Sequence, residues 1–272
     1  MVDKSEKFNW LVRVGYFSRA ILYFVLGLIA LTSAQKIAEG TNGIFRAIQE
    51  FPLGTAILWI MVVGLIAYAL FRFCSLLFDI ENNGSDAKGW GKRIGHAGSG
   101  IAHLALAYSA YKFATSEGGG SSGGSGGGGG AQEAASGVLG FEFGGIVLGL
   151  LGIALFVAAF HQAKKGITGS FMHRISGQAP DFTRWLGGAG FLARAVVYTV
   201  IGWSLFQAGF MSGGADQIKT LGDAVASLAG DGFIFTLTAI GLLLFGLFSL
   251  VLARYRIIPD LDSDAGVPKF RA

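Results

Sequence analysis

Long apolar runs alternate with short polar and basic segments along almost the whole chain. Most of these runs come close to the ~20 residues that a helix needs to cross ~30 Å of hydrocarbon. Because lipid cannot satisfy free backbone groups, such runs are expected to be helical. The pattern predicts six membrane spans, at residues 14–33, 53–77, 94–114, 144–161, 191–211 and 233–252.

Three of the predicted spans begin with one pattern of residues spaced four apart. In the first span, Gly15 is followed by Arg19, Tyr23 and Gly27. That spacing places all four side chains along one stripe of a helix. The stripe recurs in the third span as Gly95, Ser99, His103 and Ala107, and in the fifth as Gly190, Arg194, Tyr198 and Gly202. The chain is therefore predicted to repeat one helical hairpin three times.

The even-numbered spans repeat more loosely, with Tyr68, Phe156 and Phe245 at equivalent places. The predicted units are residues 1–88, 89–180 and 181–272, all within one membrane domain. The expected fold is all-α: a polytopic membrane protein with six transmembrane helices, built from three tandem parallel hairpin repeats. Parallel repeats of this kind are related by an axis along the membrane normal, which here would be pseudo-threefold.

Composition supports a membrane protein. The mean hydropathy is +0.57, and only 14% of the residues are charged, whereas charged residues make up about a quarter of a soluble domain. All of the 21 Lys and Arg residues except Lys36, Arg46, Lys112 and Lys219 fall on one side of the predicted spans. The positive-inside bias then places both termini in the cytoplasm. This asymmetry accounts for the basic pI, so nucleic-acid binding is not expected.

The connections on the other side carry two kinds of segment. Residues 44–51 and 221–228 are short amphipathic pieces, which we expect to lie flat at the interface as connecting helices. In the first piece, Phe45, Ile48 and Phe51 are expected to face lipid or protein. Residues 118–130 consist only of Gly and Ser, a composition typical of a flexible tether.

The sequence carries little that indicates catalysis. No Asp or Glu falls in the middle of a predicted span, which counts against proton- or sodium-coupled transport. Neither a Walker loop nor a nucleophile elbow is present, and histidines are not paired on a helix as in zinc proteases. Since Cys74 is the lone cysteine, an intrachain disulfide or a thiolate metal site is excluded. We expect neither a catalytic nor a metal site.

Arg19, Ser99 and Arg194 occupy the second position of the three stripes and are the candidate binding residues. The guanidinium groups of Arg19 and Arg194 could snorkel to the cytoplasmic interface or form ion pairs between helices. Alternatively, Arg19 and Arg194 could bind an anion or a lipid head group, because arginine forms bidentate bonds with phosphate and carboxylate. Ser99 removes one of the three charges that could converge near the axis.

Tyr23, His103 and Tyr198 follow one turn deeper and are expected to form hydrogen bonds between helices, which specify packing. His103 carries a second hypothesis, since His96 shares its helical face and His161 ends the fourth span. Histidines that face one another from two helices could ligate a b-type haem. Packing is the preferred interpretation, and no cofactor is expected.

The chain resembles the bacterial membrane family called domain of unknown function 1206. The matching segments are 14–31, 64–72 with Asp79, the third span from Gly95, 190–203 and 241–256. The resemblance implies a plasma-membrane protein with three two-helix repeats, and no catalytic residue is carried over from it. The chain departs from the pattern in the Gly/Ser tract and in having Ser99 and His103 where the other repeats carry Arg and Tyr.

Two classes of function remain open. The preferred one is a non-enzymatic scaffold or accessory protein that packs against membrane lipids, a membrane protein partner or a second copy of itself. The alternative is a channel or transporter for a small solute, lipid or anion, with Arg19, Ser99 and Arg194 at its mouth. The direction in which the stripe faces discriminates between them.

Overall fold

The computed structural model of the chain describes residues 4–32, 40–81, 83–115, 129–211 and 213–258. These residues form helices joined by turns, which confirms the all-helical prediction. Nine α-helices lie in these ranges: α1 (Lys4–Thr32), α2 (Gly40–Glu50), α3 (Gly54–Leu77), α4 (Ala87–Thr115), α5 (Gly129–Leu139), α6 (Gly144–Thr168), α7 (Thr183–Phe210), α8 (Leu221–Ala226) and α9 (Gly232–Tyr255).

Five helices are long and apolar enough to cross a membrane: α1 from Val12 onward, α3, α6, α7 and α9. Their number shows a multi-pass membrane protein. The predicted third span does form a helix, α4, which has 29 residues. It is not among the five apolar helices, because His96, Ser99, His103 and several glycines interrupt its apolar residues. The sixth span therefore stays a prediction.

The six long helices pack in the order α4, α3, α1, α9, α7, α6. The first and last of them along the chain, α1 and α9, thus lie side by side in the middle. Arg13 of α1 fixes this contact by donating hydrogen bonds to the carbonyl oxygens of Ala253, at 2.8 Å, and Arg254. Within the described ranges, α4 and α6 make no extensive contact with each other.

The short helices lie at the opposite end of the bundle. Both predicted amphipathic pieces are helical, as α2 and α8, and these two helices contact each other. Phe45 and Ile48 are buried in protein, whereas Phe51 is half exposed. The sequence did not predict α5, which begins within the Gly/Ser tract at Gly129. Residues 118–128 of that tract lie outside the described residues.

Glycines on the stripes of α1 and α7 let neighbouring helices approach closely. A Cβ on Gly15 would lie 2.8 Å from the Cβ of Tyr68, and one on Gly190 would lie 2.6 Å from the Cβ of Phe245. Close backbone approach of this kind drives helix association in a membrane, where no hydrophobic effect acts between helices. The equivalent glycine on α4, Gly95, has nothing within 4 Å of its Cβ position. The first turns of the α4 stripe are therefore open.

Because Gly15 is closely packed and Gly95 is open, replacing each glycine by alanine should affect the stability of the protein differently. Gly15→Ala forces α1 and α3 apart, so the apparent Tm of the purified protein in detergent should fall. Gly95→Ala is the matched control and should leave the Tm unchanged or raise it, because alanine favours a helix over glycine by about 1 kcal/mol. Equal shifts at the two positions would contradict the packing described here.

Candidate functional site

Arg19 is buried inside the bundle, with 5% of the residue exposed. Its Nη1 donates to the Tyr68 hydroxyl of α3 at 2.9 Å, and its Nε donates to the Ser249 hydroxyl of α9 at 3.2 Å. The guanidinium carbon also lies 5.0 Å from the ring centroid of Phe245. Its Nη2 is buried and has no hydrogen-bond partner in the described part of the chain.

Arg194 of α7 approaches the same ring, with its guanidinium carbon 4.7 Å from the centroid of Phe245. It donates to the hydroxyl of Tyr198, one turn later on α7. With the amide oxygen turned toward the guanidinium, Gln162 of α6 accepts from Nη1 and Nη2 at 3.3 and 3.2 Å. The buried Nε has no partner among the described residues.

Arg19 and Arg194 therefore bring two positive charges close together inside the bundle. Because both lie within 5.0 Å of the Phe245 centroid, they are at most about 10 Å apart, where like charges repel by about 2 kcal/mol at an effective dielectric constant of 20. In the part of the chain that the structure describes, neither of these arginines takes part in the ion pairs formed by Glu81. Aromatic faces and hydroxyl groups compensate the charge only in part.

The deeper stripe residues pack on aromatic rings of the even-numbered spans. Tyr23 contacts Phe245 with ring centroids 4.9 Å apart, and His103 contacts Tyr68 at 4.5 Å. His103 Nδ1 donates to the backbone carbonyl of Ser99 at 2.6 Å. Tyr68 and Phe245 occupy equivalent places in the repeats. The stripes of α1 and α4 therefore pack in the same way, each with its third residue against this aromatic ring of an even-numbered span.

Glu81, in the turn after α3, binds three arginines from distant parts of the chain. Its carboxylate pairs with Arg72 of α3 at 3.4 Å, with Arg256 after α9 at 2.9 Å, and with Arg174 after α6. His96 Nε2 lies 3.6 Å away. Burial acts to raise the pKa of Glu81, but Arg256, Arg72 and Arg174 outweigh it and hold that pKa below its usual value. The three arginines come from the three predicted units.

Sequence reasoning missed Glu81 and noted only Asp79 in this connection, which does not pair with these arginines in the described structure. The Asp79 carboxylate instead accepts the backbone N–H groups of Asn83 and Gly84, each at 2.8 Å. These bonds stabilise the turn in which Asp79 adopts a positive φ of 46°. They also lower the pKa of Asp79, although burial acts to raise it. The available signal was a group of acidic residues, Asp79, Glu81 and Asp86, that precedes the basic residues of this connection.

Three regions of the chain match a single family model: residues 14–75, 94–169 and 189–256. The chain belongs to the family described as Domain of Unknown Function (DUF1206). Each matched region contains one odd-numbered and one even-numbered predicted span, which is consistent with a three-repeat family. The uncharacterized protein YxxB of Bacillus subtilis (strain 168) is 28% identical to this DUF1206 chain over 266 residues, or 93% of the chain and 94% of that protein. No solved structure matches the chain.

The histidines of this DUF1206 chain lie in different surroundings. His96 accepts from Arg72 Nη1 at 3.0 Å through its Nδ1, and His103 packs on Tyr68. His161 is exposed on α6. Within the described ranges, no three His, Cys, Asp or Glu side chains are grouped as a metal site. The haem hypothesis stays an untested prediction.

The Glu81 contacts predict a strong effect of Glu81→Gln. Removing the carboxylate leaves three neighbouring arginines without their common anion, which should cost about 3 kcal/mol or more of the free energy of unfolding. Unfolding in mixed detergent measures this loss. Glu142→Gln, at an exposed glutamate near the other end, is the control and should have little effect.

The pH dependence of the free energy of unfolding tests the same Glu81 contacts independently. The pKa of Glu81 is lowered in the folded state, so its stabilisation is present above the unfolded carboxyl pKa of about 4.3 and is lost as the pH falls. Below about pH 5, the wild type should therefore lose more stability than Glu81→Gln does. Parallel pH profiles of the two proteins would show that Glu81 is not held by the arginines.

Proposed function

We propose that this protein is a non-enzymatic scaffold or accessory protein of the bacterial plasma membrane, built from three hairpins that together span the bilayer six times. The pairing of helices supports this arrangement. In each of three seams, an odd-numbered span packs against the even-numbered span of another unit: α4 against α3, α7 against α6, and α1 against α9. The third seam joins the last unit to the first, as a cyclic pseudo-threefold arrangement requires.

The observation that carries the proposal is that the stripes of α1 and α7 are packed rather than open. Gly15 and Gly190 lie against Tyr68 and Phe245, and these two rings are almost fully buried. Gly27 lies against the backbone of Leu243. A conduit for solute would instead present polar groups to a hydrated path. The packed stripes favour a protein that acts through its outer surface.

The outer surface suits contact with lipid. Large apolar side chains are exposed along the spans, including Val63, Leu150 and Phe160. Membrane lipids are therefore the first partners expected, and a membrane protein or a second copy of the chain comes next. The end of the bundle that holds Glu81 also holds most of the Lys and Arg residues. The positive-inside bias assigns this end, with both termini, to the cytoplasm.

A small-anion channel is the second candidate. The observation that favours it is the pair of incompletely bonded arginines, Arg19 and Arg194, inside the bundle. The open start of the α4 stripe at Gly95 could give access to them. The packed stripes of α1 and α7 count against a continuous path.

Purified protein in proteoliposomes separates the two candidates. The scaffold proposal predicts chloride and phosphate fluxes equal to those of protein-free vesicles, because side chains fill the interior. A saturable flux that is lost in the double variant Arg19→Leu with Arg194→Leu would contradict the proposal and establish a conduit. Arg184→Leu, at an exposed arginine of α7, is the matched control and should behave as the wild type does.

A further inference from the structure

We propose that Arg19, Arg194 and Tyr68 form a binding site for a phosphate group, carried by a membrane phospholipid or present as inorganic phosphate. A scaffold needs no such ligand, so this inference goes beyond the proposed function. The two are tested separately, because a flux result decides the first and a binding result decides the second.

Charge is the first argument for the site. Arg72 shares the Tyr68 hydroxyl with Arg19 as a hydrogen-bond partner, and it already pairs with Glu81. The Glu81 carboxylate is further shared with Arg174 and Arg256. The Glu81 carboxylate therefore cannot also neutralise Arg19 and Arg194, the two arginines beside Phe245. Buried charges in a membrane interior are otherwise paired, so Arg19 and Arg194 call for an anion from outside the described chain.

The donors around Phe245 are the second argument. Arg19 Nη2 is buried without a partner on a residue that is 5% exposed, and Arg194 Nε is buried without one as well. The Tyr68 hydroxyl oxygen accepts from Arg19 and Arg72, which leaves its own O–H to donate. The Ser249 hydroxyl donates to the Phe245 carbonyl at 2.8 Å and so serves Arg19 only as an acceptor. N–H and O–H donors of Arg19, Arg194 and Tyr68 thus remain without acceptors, because the nearby hydroxyl oxygens already accept other hydrogen bonds.

The chemistry of these donors selects a tetrahedral oxyanion. Guanidinium groups bind phosphate through paired N–H groups, and charge-assisted bonds of this kind are about twice as strong as neutral ones. The two arginines beside Phe245 and the Tyr68 phenol together offer donors suited to several oxygens of a phosphate. A monatomic anion such as chloride would satisfy fewer of these directional donors.

We place the route from the lipid side between α4 and α6, where the order of packed helices is not closed in the described part of the chain. These helices make no extensive contact in the part of the chain that the structure describes, and the start of the α4 stripe is open at Gly95. Ser99 replaces the third arginine on this side, so no long side chain projects from that position. Gln162, which accepts from Arg194, lies on α6, one of the two helices that border this space.

Two assays on the purified full-length protein distinguish the sources of the phosphate. The first measures phospholipid that stays bound after exchange into lipid-free detergent, by mass spectrometry. The second measures the shift in Tm on adding inorganic phosphate to the delipidated protein. We expect the wild type to give a positive result in at least one assay. Retained phospholipid identifies a lipid head group, and a shift with phosphate alone identifies a free anion.

The variants test whether these residues hold the ligand. Arg194→Gln and Arg19→Gln should each weaken binding at least about tenfold, since each removes a charged donor. Arg184→Gln removes the same charge from an exposed arginine and should leave binding unchanged. Arg194→Lys keeps the charge and should retain more binding than Arg194→Gln.

Arg194 is less buried than Arg19, so its variants decide the outcome if Arg19→Gln does not fold, as judged by size-exclusion chromatography. Loss of binding in Arg194→Gln with recovery in Arg194→Lys supports the site. A wild type that is negative in both assays, or equal binding by Arg194→Gln and Arg184→Gln, would overturn the proposal.

Discussion

A single buried carboxylate, that of Glu81, connects the ends of three helices that are far apart in sequence. Arg72, Arg174 and Arg256 would repel one another at this distance without an anion between them. With Glu81 present, the repulsion becomes attraction, because each guanidinium forms a charge-assisted bond with the carboxylate. The position of the even-numbered spans at this end therefore depends on one residue in the turn after α3.

The same interaction extends into the bundle. Arg72 binds both Glu81 and the Tyr68 hydroxyl, and Tyr68 in turn accepts from Arg19, which donates to Ser249. This chain of contacts links α3, α1 and α9. It positions the guanidinium of Arg19 beside Phe245, where Arg194 arrives from α7. Arg19, which has no carboxylate partner, is thus linked through the Tyr68 hydroxyl to Arg72, which pairs with Glu81.

Periodicity in the sequence was enough to predict which residues share a helix face. Arg19 and Tyr23 fall on one stripe, as do Arg194 and Tyr198. The structure places Arg19, Tyr23 and Arg194 against Phe245. Residues 44–51 and 221–228 were also predicted as short helices. Helix faces and short helices depend on residues only a few positions apart, so the local sequence pattern is enough to predict them.

Contacts between distant segments were not predictable in this way. Glu81 and Arg256 are separated by 175 positions, and nothing in either local sequence names the other as a partner. The weak contact between α4 and α6 was likewise missed, because a repeat pattern predicts equivalent seams throughout. The local signs that the middle unit differs were the Gly/Ser tract 118–130 and the replacement of Arg and Tyr by Ser99 and His103.

A double-mutant cycle between Glu81→Gln and Arg256→Gln tests most directly whether the first and last units meet at this carboxylate. The free energy of unfolding in mixed detergent is measured for the wild type, both single variants and the double variant. The structure predicts a coupling energy of about 1 kcal/mol or more, as for residues in one ion-pair network. Additivity of the two substitutions within about 0.5 kcal/mol, the behaviour of distant sites, would contradict the arrangement.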